Sequence, residues 1–195
     1  MKLVDVTEGI CKMVKIYTKT GDKGETGLVS GARISKGHDL IDLYGEVDEL
    51  NANLGFLLSF LSDDNQSDVE LLKLIQNALF DLGSNLACEA QNRVKYKLPQ
   101  INQDAVLAIE SRIDEIDQEL TPLKNFILPG GLPASTYAHV CRTVCRRVER
   151  SLVRYGKDLP QYSVEFLNRL SDYLFVFSRY LNHLEKIEEV PWSLS

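Results

Sequence analysis

Five stretches of the chain place apolar residues at steps of three and four. Val47, Leu50, Leu54, Leu57 and Leu61 form the first series, and Leu71, Ile75, Ala78, Leu82 and Leu86 the second. Val106, Ile109, Ile113, Ile116 and Leu120 form the third. Tyr137, Cys141, Val144, Val148 and Leu152 form the fourth, and Leu167, Leu170, Leu174, Phe177 and Leu181 the fifth. Such steps return to one side of a helix, so each series predicts one apolar helix face. The breaks agree. "SDDNQSD" (62–68) offers N-caps, "YKLPQINQD" (96–104) ends on an Asn/Asp cap, and Gly156 closes the fourth helix. "TPLKNFILPGGLP" (121–133) carries three prolines and a Gly-Gly pair. With no β-α alternation and short connections, the pattern predicts an all-α fold, a five-helix antiparallel bundle. Residues 1 to about 37 are read as irregular, dense in Gly, Lys and Thr.

One domain spans 1–195: a flexible N-terminus at 1–14, a glycine-rich loop at 15–37, the bundle at 44–186 and a tail at 187–195. Apolar residues at 44% and charged residues at 26% are ordinary for a globular chain. A net charge of -6 gives no overall footprint for nucleic acid, so an anion site must be a local cluster of cations. No apolar run approaches the roughly 18 residues of a membrane span. "MKLVDVTEGICKMV" lacks the apolar core of a secretory signal. The expected compartment is the cytoplasm, with thiols reduced. Cys11, Cys88, Cys141 and Cys145 form no C-x-x-C pair. Cys141 and Cys145 stand one helical turn apart. They are either two ligands of a metal or, the more frequent case, buried small hydrophobes. His38, His139 and His183 are scattered, and no metal site is assigned.

"KIYTKTGDKGETGLVSG" (15–31) has four glycines, three threonines and three lysines. That composition suits phosphate, yet it fits neither familiar glycine-loop fingerprint. The fourth helix, "CRTVCRRVERSLVR" (141–154), holds five of the chain's ten arginines. Arg142, Arg146, Glu149 and Arg150 make one stripe on it. Guanidiniums crowded on one face are either a solvated basic surface or a polyanion site, and the otherwise acidic chain tilts the reading to the second. On the last helix Asn168, Asp172, Phe175 and Arg179 make another polar stripe, either a solvent face or a partner of the first. A first helix opening at Tyr44 puts Glu46, Asp48 and Glu49 in its first turns, where acids suit the helix dipole. Asp48 is otherwise a partner for a stripe arginine. Phe126 before Pro129-Gly130-Gly131 is a loop anchor or a wall for a ligand.

"TKTGDKGETGL", "YGEVDELN", "FILPGG", "CRTVCRRVER" and "LNRLSDYLF", in this order, resemble the PduO-type ATP:cob(I)alamin adenosyltransferases. The motifs run from about residue 15 to residue 182. The resemblance implies a homotrimer with active sites between subunits. It implies transfer of the 5′-deoxyadenosyl group of ATP to the cobalt of cob(I)alamin, with triphosphate leaving and adenosylcobalamin formed. ATP, Mg²⁺ and cob(I)alamin or cob(II)alamin are then the ligands. A corrinoid reductase and an adenosylcobalamin-dependent enzyme are the implied protein partners. Thr18, Lys19, Thr20, Gly21, Thr26 and Gly27 match the nucleotide loop, to which Lys36 adds a charge. Arg146, Arg147, Val148, Glu149 and Arg150 match the arginine segment, and Asn168 the last nucleotide contact. Asp48 and Arg142 match an intersubunit salt bridge. Phe126 matches the aromatic on the lower face of the corrinoid, and Phe175 a second wall.

Cobalt(I) as nucleophile needs no general base, and no Ser/His/Asp or Cys/His constellation is visible. A nucleoside-triphosphate hydrolase or a non-catalytic nucleotide or corrinoid sensor on the same bundle is the rival reading. A plain helical interaction module leaves the loop and the arginine stripe unexplained.

Overall fold

In the computed structural model, residues 17, 19–62, 65–156 and 158–193 are described. Thr18, Cys11 and the segment 1–14 lie outside them, so the readings on those positions have no structural counterpart here. The elements are β1 (Glu25–Gly27), β2 (Arg33–Ser35), α1 (Asp39–Leu58), α2 (Gln66–Leu86), α3 (Ala90–Arg93), α4 (Gln103–Asp117), α5 (Pro133–Tyr155) and α6 (Ser163–Leu184). The five long helices are those the periodicity predicts. α3, a single turn, is additional.

Local chemistry sets the ends. Asn102 caps α4 by accepting from Ala105 N–H at 3.1 Å. Pro133 enters α5 at its first turn, where a missing N–H costs nothing. Gly156 ends it in the left-handed conformation, φ 62°. The 62–68 segment departs from expectation, because Asn65 gives α2 no side-chain cap. α1 starts at Asp39, five residues before the expected Tyr44, because His38 Nδ1 accepts from Leu40 N–H at 3.1 Å. Asp39 and Asp42 are therefore its first-turn acids, and Asp48 and Glu49 lie mid-helix. The dipole role expected for those two is corrected.

α5 packs on α6 and α1, α1 on α2, and α4 on α6 and α2. Their shared core includes Leu50, Leu54, Leu72, Leu82, Ile109, Leu167, Leu174 and Phe177, all fully buried. Cys141 and Cys145 are fully buried in it. Burial pushes the Cys141 thiol up to about 12, and Cys145 Sγ donates to Leu167 O at 3.2 Å. Both are packing residues. A carboxylate enters the core. Asp68, 1% exposed, accepts from Arg112 Nε at 2.9 Å, from Arg112 Nη2 at 2.7 Å and from Tyr173 Oη–H at 2.9 Å. This joins α2, α4 and α6 at one point. Among the described residues no helix is long and apolar enough to cross a membrane.

The described residues before α1 include a hairpin that the composition does not suggest. β1 and β2 pair antiparallel with Thr26 opposite Ile34 and Gly27 opposite Arg33. Strands of three residues are too short to show a period of two. The hairpin docks on the bundle through Val29 N–H to Ala87 O at 2.8 Å and Tyr96 Oη–H to Ser30 O at 3.2 Å.

Candidate active site

The glycine-rich loop is folded back on itself. Arg33 Nη2 donates to Thr20 O at 2.7 Å, and its Nε reaches Glu25 Oε2 at 3.5 Å. Lys36 N–H donates to Gly24 O at 2.8 Å. The Lys36 ammonium lies over Gly21, where a Cβ would stand 3.1 Å from Nζ. A side chain at Gly21 would push the Lys36 ammonium aside. Lys19, Thr20 and Gly21 form the turn, Thr26 and Gly27 lie on β1, and Lys36 follows β2. One hairpin therefore carries all the described loop residues assigned to nucleotide.

On α5 the arginines separate by partner. Arg147 forms an ion pair with Glu49 of α1. Among the described residues Arg142, Arg146, Arg150 and Arg154 form no ion pair. Arg150 Nη1 donates to Arg146 O at 2.9 Å, and both side chains are exposed. A solvated face matched to acids would pair more of them, so the stripe leaves a local concentration of positive charge on an otherwise acidic chain. Arg142 is partly buried, its Nε has no partner, and burial followed by the charge of Arg146 pushes its pKa down. Asp48 is exposed on α1 and is not paired with Arg142 within the chain. The Val148 side chain is fully buried and packs in the core between these arginines.

α6 meets this stripe. Asn168 Nδ2 donates to Glu149 Oε1 at 3.2 Å, joining two residues that the sequence places 19 positions apart. Phe175 sits further along α6, partly buried. Arg179 is not on a solvent face. It is 6% exposed and bonds Glu189 Oε1 at 2.7 Å and Thr121 O at 2.8 Å.

Beside the stripe lies a cavity of about 950 Å³, walled by Phe126, Ile127, Pro129, His139, Arg142, Phe175 and Trp192 among others. It brings together Phe126, Arg142 and Phe175, three residues far apart in sequence. Phe126 projects into the open, 80% exposed, with Trp192 edge-on at 6.4 Å. The tail holds this loop by backbone bonds, Leu128 N–H to Val190 O at 2.9 Å and Trp192 N–H to Phe126 O at 2.7 Å. His139 is buried. Its Nε2 lies 3.1 Å from Ser178 Oγ, which itself donates to Phe175 O at 2.6 Å, so the imidazole is the donor to Ser178. Burial, then the Arg142 charge, pushes its pKa down. Sequence reasoning missed His139, Trp192 and Arg33. The chain's single Trp, in a tail without a motif, was the one available signal.

The described residues thus offer three features: the hairpin, docked by Ala87 and Tyr96, the arginine stripe of α5, and a broad cavity beside that stripe at Arg142. Among the described residues no three His, Cys, Asp or Glu side chains gather to hold a metal ion.

The chain is similar to known proteins along nearly its whole length. The cobalamin adenosyltransferase family model matches residues 16–181. A corrinoid adenosyltransferase of Bacillus subtilis (strain 168) is 41% identical over 187 residues, covering 93% of this chain and 94% of its own. A cobalamin adenosyltransferase of Cupriavidus metallidurans is 41% identical over 184 residues, covering 93% and 95%. A variant of the PduO-type ATP:corrinoid adenosyltransferase from Lactobacillus reuteri, complexed with cobalamin and ATP, superposes with TM-score 0.86 at 36% identity. That match covers 92% of this chain and 100% of the other. With an arginine stripe beside an aromatic-walled cavity, and with these relatives across nearly its whole length, the chain belongs to the cobalamin adenosyltransferase family.

Proposed function

We propose that this chain moves the 5′-deoxyadenosyl group of ATP to the cobalt of cob(I)alamin, at sites formed between the subunits of a homotrimer. The observation that carries the reading is the single cavity lined by Phe126, Arg142 and Phe175 beside the unpaired arginine stripe.

The hairpin presents backbone N–H groups, hydroxyls and the Lys36 ammonium to the triphosphate, as an anion nest does. Thr18, Lys19, Thr20, Gly21, Thr26 and Gly27 belong to this cradle by their match to the family loop. Arg146 and Arg150 supply the charge that a departing triphosphate needs, while Glu149 and Asn168 take the nucleoside end. Among the described residues no group of side chains builds a cage for Mg²⁺. A magnesium ion in the reaction belongs to the triphosphate oxygens and water.

The reaction balances without a protein base. The cobalt(I) electron pair forms the Co–C5′ bond, the C5′–O bond breaks, and triphosphate leaves with the electron pair of the broken C5′–O bond. Positioning and leaving-group stabilisation remain for the chain. Phe126 covers the lower face of the corrinoid, excludes an axial donor from cobalt(II) and so eases its reduction. Phe175 forms a second apolar wall. Asp48 of one subunit pairs with Arg142 of the next. A reductase that supplies the electron and an enzyme that uses adenosylcobalamin are the partners this chemistry requires. The reading also places the chain in the cytoplasm.

Full-length protein mixed under anoxic conditions with ATP, Mg²⁺ and chemically reduced cob(I)alamin tests this. Loss of the cobalt(I) band and growth of a light-sensitive alkylcobalamin spectrum are expected, with one triphosphate per corrinoid. ATP binding with a persistent cobalt(I) band overturns the activity in favour of a sensor or hydrolase.

A further inference from the structure

We propose that Arg169 is a positioning residue for the nucleotide, acting through Asn168 and Glu149. The inference rests on the reading that those two residues contact ATP.

Arg169 stands at the meeting of three helices. Its Nε donates to Glu110 Oε1 of α4 at 2.7 Å. Its Nη1 donates to Asn168 Oδ1 at 3.3 Å and to Asp172 Oδ2 at 3.2 Å, both on α6. On the far side of the same amide, Asn168 Nδ2 donates to Glu149 Oε1 of α5 at 3.2 Å. The chain Glu110–Arg169–Asn168–Glu149 thus runs from the back of the bundle to the arginine stripe.

The order of donors and acceptors fixes the amide. A guanidinium only donates and a carboxylate only accepts. Asn168 between them has one satisfactory orientation, with oxygen toward Arg169 and nitrogen toward Glu149. The flipped amide sets NH₂ against guanidinium and C=O against carboxylate, losing both bonds at once. Arg169 therefore selects which end of Asn168 reaches the site, and Asn168 in turn holds Glu149.

What remains on offer defines the ligand chemistry. Asn168 keeps one N–H for an acceptor. Glu149 keeps Oε2 for a donor. A triphosphate at pH 7 has no good donor and repels a carboxylate, so this pair reads the nucleoside, whose hydroxyls and amino group donate. The phosphates are left to Arg146, Arg150 and the hairpin. Arg169 itself is committed to three oxygens and is not a phosphate ligand. In sequence it is hidden, one step off the Asn168–Asp172 stripe.

The test is a set of equilibrium titrations on full-length protein with ATP, inorganic triphosphate and cob(II)alamin. Asn168→Ala and Arg169→Ala are each expected to weaken ATP about tenfold, the scale of one charge-assisted bond. The double variant should lose no more than either single, as for residues acting in one chain. Inorganic triphosphate and cob(II)alamin should bind all three as they bind wild type. Glu110→Gln, which keeps Arg169 but weakens its anchor, should show the same pattern at smaller amplitude, and it decides the matter if Arg169→Ala fails to fold. Additive losses, or an equal loss of inorganic triphosphate, overturn the inference and leave the nucleotide site in place. Unchanged ATP affinity in Asn168→Ala overturns the site reading and this inference together.

Discussion

Asn182 occupies the space in which a side chain on Gly131 would sit. A Cβ built on Gly131 falls 2.6 Å from Asn182 Cγ, and the residue has φ +96°. The same amide donates to Gly130 O at 3.0 Å and accepts from Leu132 N–H at 3.1 Å. A side chain of α6 thereby fixes the loop that carries Phe126 and the entry to α5. Gly131→Ala displaces Asn182 and strands two polar groups, each costing about 1–3 kcal/mol, on top of the left-handed backbone. We expect a lower melting temperature and corrinoid binding weakened at least about tenfold, with ATP affinity near wild type. Calorimetry and separate titrations of the two ligands measure this. Equal loss of both ligands would show that the glycine supports the whole bundle and not this loop.

Phe126 gives the opposite signature. At 80% exposure it contributes little to folding, so Phe126→Ala should change stability by less than about 0.5 kcal/mol. Its effect belongs to the corrinoid. Turnover from cob(II)alamin with a reductant should fall far more than turnover from pre-reduced cob(I)alamin, because the latter bypasses removal of the axial donor. Comparing the two rates on one preparation decides the point. Parallel losses would remove Phe126 from the reduction step.

The long helices were legible because each buries one stripe, and the buried residues recur at the expected steps from Leu71 to Leu86 and from Leu167 to Leu181. The start of α1 was legible but read too late: Leu40 and Leu43 carry the same steps of three and four back from Val47, and the cap is a histidine, which is not among the usual N-cap residues. The hairpin was hidden by strands of three residues. The loop and the arginines were legible from composition and charge. Which arginines are spoken for was not, because Arg147 meets Glu49 and Arg179 meets Glu189 through tertiary contacts that no spacing encodes. Trp192 escaped for the same reason, as the tail reaches Phe126 through backbone bonds.

Asp68 is the test of the bundle itself. Its carboxylate is buried and takes three hydrogen bonds, two from Arg112 and one from Tyr173. Arg112 also lies over the Tyr180 ring at 5.3 Å. Breaking a buried pair from one side leaves an uncompensated charge, at a cost of about 3–5 kcal/mol. Asp68→Ala should therefore destabilise by that order in urea unfolding. The double variant Asp68→Leu, Arg112→Met should recover much of the loss, because the unpaired cation is gone. If the single variant unfolds at the wild-type midpoint, the network is ornamental to stability.

Arg142 and Asp48 carry the prediction about assembly. Arg142 is a partly buried cation with an unpartnered Nε, and burial beside Arg146 pushes its pKa down. Among the described residues no carboxylate answers it, while Asp48 stands exposed mid-way along α1. A neighbouring subunit that brings Asp48 onto Arg142 relieves both conditions. Truncating one partner of such a pair costs about 2–5 kcal/mol. Arg142→Ala and Asp48→Ala should each shift the oligomer toward smaller species in sedimentation at low protein concentration, with activity falling in step. The exchange Asp48→Arg with Arg142→Asp should restore part of the assembly that either reversal alone destroys, since the pair is rebuilt with its ends swapped. A fully assembled, fully active Arg142→Ala protein would refute the pairing, and the Arg142 guanidinium would then belong to the corrinoid cavity it already lines.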